Sequence, residues 1–173
     1  MRWTTIVGAL LCATLAGGCA ASAAGAPAAM AAYDQQDVTF SQEMITHHRQ
    51  TIQLAELVAK RTDTPYVREL SQKLETNEKA DIEKMSSWLK SWQVAVPAED
   101  AKGVADQVAQ LTPKSGKAFD KLWLSLISQH LDHGVMMATS AQSGGKHGPT
   151  IEMATRLVSE QTAQIAEIKE HQA

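Results

Sequence analysis

A chain of 173 residues with a net charge of −3 and 5% aromatic side chains lacks the basic, aromatic-interleaved stripes that hold nucleic acid. Its two cysteines, Cys12 and Cys19, both stand near the N-terminus, so the rest carries no disulfide framework, thiolate metal site or cysteine nucleophile. No Ser-His-Asp arrangement, glycine-rich phosphate loop or dinucleotide fingerprint can be read, so no enzyme class is indicated.

The first segment reads as a targeting signal. Arg2 precedes the apolar run "WTTIVGALLCATLA", which is too short to form a stable membrane span. It leads into "AGGCA", which resembles the lipobox of bacterial lipoproteins, with Ala16 where Leu is usual. Residues 1–18 are then a lipoprotein signal peptide, Cys19 is the lipid attachment site, and residues 19–33 are a low-complexity tether. The protein is expected outside the cytoplasm, touching the cell membrane only through that lipid. An ordinary secretory signal cut after Ala21-Ser22-Ala23 is the fallback.

Residues 34–173 are long enough for one domain with its own core, and they read as helix throughout. Val38, Ile45, Ile52 and Ala59 recur every seven residues, a helical apolar stripe. "TDTPYV" ends that helix and starts the next, with Asp63 or Thr64 as cap and Pro65 in the first turn. The second helix carries Leu70, Leu74, Ile82, Met85 and Leu89 to about Trp92. A linker with Pro97, Gly103, Pro113 and Gly116 follows, containing at most a short helix around "AEDAKGVADQVAQL". The third helix runs from near Ser115 to Ala141 with Trp123, Ile127, Leu131 and Ala138 on its stripe; after "SGGKHGP" a fourth fills the rest. Shifting the second half back by 83 lays Trp123 on Phe40, His130 on His47, Leu157 on Leu74 and Ile165 on Ile82. Two equivalent helical hairpins joined by a long linker predict an all-α four-helix bundle without a sheet.

Polar side chains interrupt the apolar stripes. At 100° per residue, His48 lies at the centre of the first stripe, His47 at its edge, and Met44 between them one turn earlier. Glu78 and Asp81 fall inside the second stripe, His130, His133 and Met137 on the core side of the third, and Gln161 and Gln164 on that of the fourth. Counting from the two turns sets His48 level with Glu78 and His130 level with Gln161. All would meet in one layer across the core. Leaving such groups buried and unpaired costs on the order of a few kcal/mol each. They must satisfy one another, for example as His48–Glu78 and His130–Gln161 pairs that fix register, or bind water or a metal. For a metal, imidazoles and thioethers without thiolates outside the cytoplasm suit copper best. A di-iron centre would need two Glu-x-x-His motifs, and Glu43 is followed at that spacing by Thr46, Glu78 by Asp81. His147, in a Gly-rich turn, and His171, near the C-terminus, are expected in solvent; Met85, Met136 and Met153 are expected as packing or surface residues.

Residues 34–171 resemble the bacterial domain of unknown function 305 family of exported, ferritin-like helical bundles. The resemblance rests on "DVTFSQEMITHHRQTIQLAE", on "VRELSQKLETNEKADIEKMSSWLKSW", and on "FDKLWL", "HLDHGVMMA" and "SEQTAQIAEI" as a second copy. It implies a ferritin-like fold and, since some members are linked to copper, a copper ion as ligand. This chain departs from the usual second copy. Ile127 and Leu131 replace a Met and a His, His133 stands where Gly is usual, Gln164 replaces Glu and Ile168 replaces Met. Residues 94–117 also lack the methionines many relatives carry there. A copper site of changed affinity and a decayed one both stay open.

The expectation is therefore an exported, lipid-anchored protein that sequesters or delivers copper rather than turning over a substrate. Met44, His47, His48, His130, His133 and Met137 would be ligands, with Glu78 and Asp81 as ligands or orienting groups. The alternative is a metal-free helical interaction module of the cell envelope, whose polar layer only sets bundle register.

Overall fold

The computed structural model describes residues 32–99 and 102–172. The expected signal peptide, Cys19 and the tether up to residue 31 lie outside them. The described residues contain five α-helices and no strand: α1 (Gln35–Glu56), α2 (Pro65–Ser91), α3 (Ala105–Leu111), α4 (Gly116–Gly144) and α5 (Gly148–Gln172). A single 3₁₀ turn, Val58–Lys60, follows α1. Among the described residues no helix is long and apolar enough to cross a membrane.

The ends of these helices follow local chemistry. Asp34 caps α1, accepting from the N–H groups of Gln36 and Asp37 at 2.9 and 3.2 Å, while Asp37 accepts the Asp34 N–H at 2.9 Å. That reciprocal pair satisfies donors a helix start leaves open. Thr64 takes the cap position of α2 with Pro65 behind it, but its side chain accepts no helix N–H. Instead the Thr64 hydroxyl donates to Asp120 Oδ2 at 2.6 Å, tying the first turn to α4. After α2, Gln93 turns the chain with φ of 60°, in the left-handed region, and the Val94 N–H closes onto the Leu89 carbonyl at 2.8 Å.

α1 packs on α2 and α4 on α5, and the two hairpins meet through α1 and α4. The core consists of two apolar clusters. One gathers Leu54, Val67, Leu74, Phe119, Trp123, Ile127 and Ile168. The other gathers Phe40, Met44, Ile45, Met85, Leu89, Ala138 and Met153. Each large side chain so buried contributes about 1.5–3 kcal/mol. Trp123 adds an indole N–H bond to the Leu54 carbonyl at 2.9 Å, so its one polar atom is satisfied. Along all four long helices the residues between the clusters are the polar ones predicted to share a layer.

The strict seven-residue stripe of the first helix does not survive its full length. Ile52 is half-buried, and Ala59 is exposed in the 3₁₀ turn. A straight α-helix drifts about 20° per heptad, so a spacing of seven walks off the core face, and Leu54 and Ala55 take over. The expectation of solvent is also corrected for His147 and holds for His171. His147 is half-buried, its ring edge-on to Trp88 and Trp92, and His171, though exposed, stacks on Tyr66 at 3.5 Å.

Candidate metal centre

The first feature of the layer is a reciprocal histidine pair. His47 Nε2 lies 2.9 Å from the His130 carbonyl oxygen, and His130 Nε2 lies 3.1 Å from that of His47. A carbonyl can only accept, so both Nε2 atoms carry the proton and both Nδ1 atoms keep the lone pair. The rings stack at 3.9 Å with 12° between planes. His47 is 3% exposed and His130 half-buried. Burial pushes His47 well below the usual imidazole range, and His130 and His48 push it further, against the pull of its carbonyl bond. Burial likewise lowers His130. Both are thus neutral imidazoles near pH 7, with one nitrogen held by a carbonyl and the other free to donate electrons. Metal-binding histidines adopt this posture.

The pair is possible because α4 has a glycine facing it. A Cβ on Gly134 would stand 2.5 Å from Gln161 Oε1 and 2.9 Å from His47 Cε1. Thr51 occupies the equivalent place on α1 and turns its hydroxyl to the His47 carbonyl, 3.3 Å away.

His48 points the other way, into the interior. It is fully buried, with Nδ1 3.8 Å from Glu78 Oε1 and Nε2 3.6 Å from Asp81 Oδ2. Those separations allow attraction but not hydrogen bonds. Burial lowers the His48 pKa, and Asp81 only partly restores it. Burial raises Glu78 well above the carboxylate range, the Thr51 hydroxyl opposing and Asp81 reinforcing. Burial pushes Asp81 upward too, but His48 and Arg156 outweigh it and leave the group below its ordinary value. The Arg156 bond to Asp81 Oδ1, 2.6 Å, bridges α5 to α2. Among the described residues, of eleven buried side-chain polar atoms without a hydrogen-bond partner, eight belong to His47, His48, Glu78, Asp81, Gln161 and Gln164, so unmet hydrogen-bonding capacity is concentrated here.

The eight residues expected to bind metal are thereby sorted rather than gathered. His47, His133 and Met137 line an open groove of about 770 Å³ between α1 and α4. His133 is exposed, its ring centroid 5.8 Å from that of His47, and Met137 is half-buried. Residues 95–98 strap this groove, held by Gln42 Nε2 donating to the Ala95 carbonyl and Arg49 Nη1 to those of Pro97 and Ala98. His48, Glu78 and Asp81 sit behind in the interior. Met44, fully buried, packs in the apolar cluster with Met85 and Leu89. Among the described residues no three His, Cys, Asp or Glu side chains converge in metal-ligating geometry. The expected His48–Glu78 neighbourhood is present, but a His130–Gln161 bond is not: the carbonyl of His47 takes the imidazole instead. Thr51, Gly134 and Arg156 were not foreseen. Gly134 alone carried a signal, an isolated glycine inside a helical pattern, which marks close approach.

The sequence profile of the DUF305 family, described as a domain of unknown function, matches residues 37–172. A DUF305 protein of Streptomyces coelicolor inferred to be secreted superposes with a TM-score of 0.72 at 23% identity, over 77% of this chain and 88% of that one. A DUF305 fragment from Deinococcus radiodurans gives 0.72 at 20%, over 80% and 96%. CopM in its Cu(II)-bound form gives 0.70 at 20%, over 79% and 95%, and CopM is also known in Cu(I)- and Ag-bound forms. No curated protein sequence matches this chain significantly.

Proposed function

This chain belongs to the DUF305 family, and on that premise we propose that it is an exported metal-binding protein with a ferritin-like four-helix bundle that sequesters or delivers copper. The observation that carries this reading is the reciprocal His47–His130 pair. Each ring has its Nε2 proton committed to a carbonyl and its Nδ1 lone pair left over, and His47 Nδ1 is buried without a partner. His133 and Met137 border the same groove, so imidazole and thioether donors become available together. Met44, His48, Glu78 and Asp81 complete the expected set from the interior, His48 and the carboxylates orienting the layer and Met44 offering a second thioether. Copper bound to CopM is a property of that relative, and it supports the choice of ion here. Because the histidines are already neutral at pH 7, copper need not displace their protons. Cys19 would carry the lipid and fix the protein to the outside of the membrane.

A competition titration of residues 20–173 with Cu(I), and with Cu(II) and Zn(II) alongside, tests the reading. Tight stoichiometric copper binding is expected, weakened at least about tenfold, or 1.4 kcal/mol, in both His47→Ala/His48→Ala and His130→Ala/His133→Ala. Copper binding no tighter than that of an unstructured His/Met peptide would overturn it. A second reading is a metal-free interaction module of the cell envelope. It is favoured by the same pair of histidine–carbonyl bonds, which lock α1 to α4 in register without any ion. Under that reading copper leaves the thermal midpoint unchanged, whereas a ligand of the folded state alone must raise it.

A further inference from the structure

At the far end of the molecule from the start of α1, a pocket of about 880 Å³ opens where α2 and α4 begin and α5 ends. Its rim carries Lys114, Lys117 and Lys121. None of these three ammonium groups forms an ion pair with a described carboxylate. They stand out on a chain whose net charge is −3. Asp120 is the one carboxylate lining the pocket, so the lysines outnumber it there, while Glu167 and Glu170 act on Tyr66 from behind the wall.

Two helix starts border the same place. α2 and α4 both start without a side-chain cap bond, so the N–H groups of Tyr66 and Val67, and of Lys117 and Ala118, are first-turn donors that no cap accepts. All four residues line the pocket. The starts of α2 and α4 bring two positive dipole ends to the lysines, against the one negative end of α5. Two polar atoms in the lining are buried without a partner: the Tyr66 hydroxyl and Asp120 Oδ1, on a carboxylate that is only 8% exposed. The remaining wall is apolar, built from Val67, Leu122 and Leu124. A volume of this size suits a small organic molecule rather than a bare ion.

We infer that this pocket binds an organic phosphate monoester with an apolar body. A carboxylate has too few acceptor sites for three lysines, a phenol and four amides, whereas a phosphate presents three oxygens and about −1.5 to −2 of charge, matching the lining. Helix N-termini accept such a group directly. The apolar wall takes the ester's body, and Tyr66, stacked on His171, closes one side. The pocket shares no residue with the histidine groove, so the inference stands apart from the copper reading.

Isothermal titration of the intact chain with 1-naphthyl phosphate tests this, with inorganic phosphate, 1-naphthol and phosphatidate vesicles as separate arms. One-to-one binding is expected, at least tenfold tighter than to inorganic phosphate or to naphthol. Lys117→Ala/Lys121→Ala should weaken it at least tenfold, and Ala118→Trp, which fills the pocket from an exposed helix position, should abolish it. Copper titrations of both variants should match the parent, which separates this site from the histidine groove and reports that the fold is intact. Equal binding of inorganic phosphate or of naphthol, binding to vesicles without the soluble ester, no binding, or indifference to both substitutions would each overturn the inference.

Discussion

The two hairpins share a frame and differ in chemistry. Positions 83 apart in sequence play matching parts: the His47 and His130 rings each bond the other's carbonyl, and Asp37 and Asp120 each reach across to the turn of the opposite hairpin. In the rest of the layer the match fails: the repeat sets Leu131 at the position of His48, Gln161 at that of Glu78, Gln164 at that of Asp81 and Gly134 at that of Thr51. His48, Glu78 and Asp81 all belong to the first hairpin, and the second supplies a leucine and two amides at the matching positions. Four facing carboxylates would repel in a dry core; two carboxylates opposite two amides avoid that while keeping the layer polar. Symmetry here serves packing, and its loss leaves the interior carboxylates on one side of the layer.

The largest expected effect tests the frame. Asp37 is fully buried and its Oδ2 accepts three backbone N–H groups, from Asp34, Lys146 and His147, at 2.9–3.1 Å. Asp120 accepts one hydroxyl, that of Thr64. Asp37→Ala would strand three donors at two helix starts and should cost about 3–4 kcal/mol, whereas Asp120→Ala should cost about 1 kcal/mol. Urea denaturation of both measures the ratio, and equal losses would show that the shared position hides no difference in load. Next comes Gly134→Thr, which copies the Thr51 of the first hairpin into the second. Its Cβ meets Gln161 and His47 below van der Waals distance, so a loss of about 1–3 kcal/mol is expected. Thr51→Gly should not relieve it. If Gly134→Thr is neutral, the histidine pair is not held by that close approach.

Much of this was legible in the sequence because it rests on periodicity. The helix boundaries at Thr64–Pro65 and Ser115–Gly116, the internal repeat and the burial of Glu78, Asp81, Gln161 and Gln164 all follow from spacing along single helices. Spacing places a side chain on a face but does not say which neighbour it meets. His47 and His48 differ by 100°, and that angle sends one to the groove with His130 and the other to Glu78 and Asp81. The expected single layer therefore became two sets. The reciprocal carbonyl bonds depend on how closely α1 approaches α4, a distance set by Gly134 in three dimensions. The Asp81–Arg156 pair spans 75 residues and two hairpins, and no local pattern announces it.

The smallest effect is a dependence on pH, and its sign separates the histidines of the layer from Glu78. His47, His48 and His130 titrate lower in the folded chain than their unfolded value of 6.5, so below about pH 6.5 the unfolded state binds more protons and stability falls with acid. Glu78 titrates higher than its unfolded value of 4.5, so above that pH the folded state binds more protons and stability falls as the solution becomes basic. Between 4.5 and 6.5 the terms oppose, with three histidines against one carboxylate, so the acid-side and basic-side losses flank an intermediate range of greatest stability. Glu78→Gln gives the first hairpin the residue Gln161 supplies in the second. It should remove the basic-side decline, raising stability at pH 8 by about 1–2 kcal/mol, while leaving the acid-side slope in place. Chemical denaturation at pH 5, 6.5 and 8 reads both limbs. An unchanged basic limb would mean that Glu78 ionises freely in the fold and that the interior set is wetter than its burial implies.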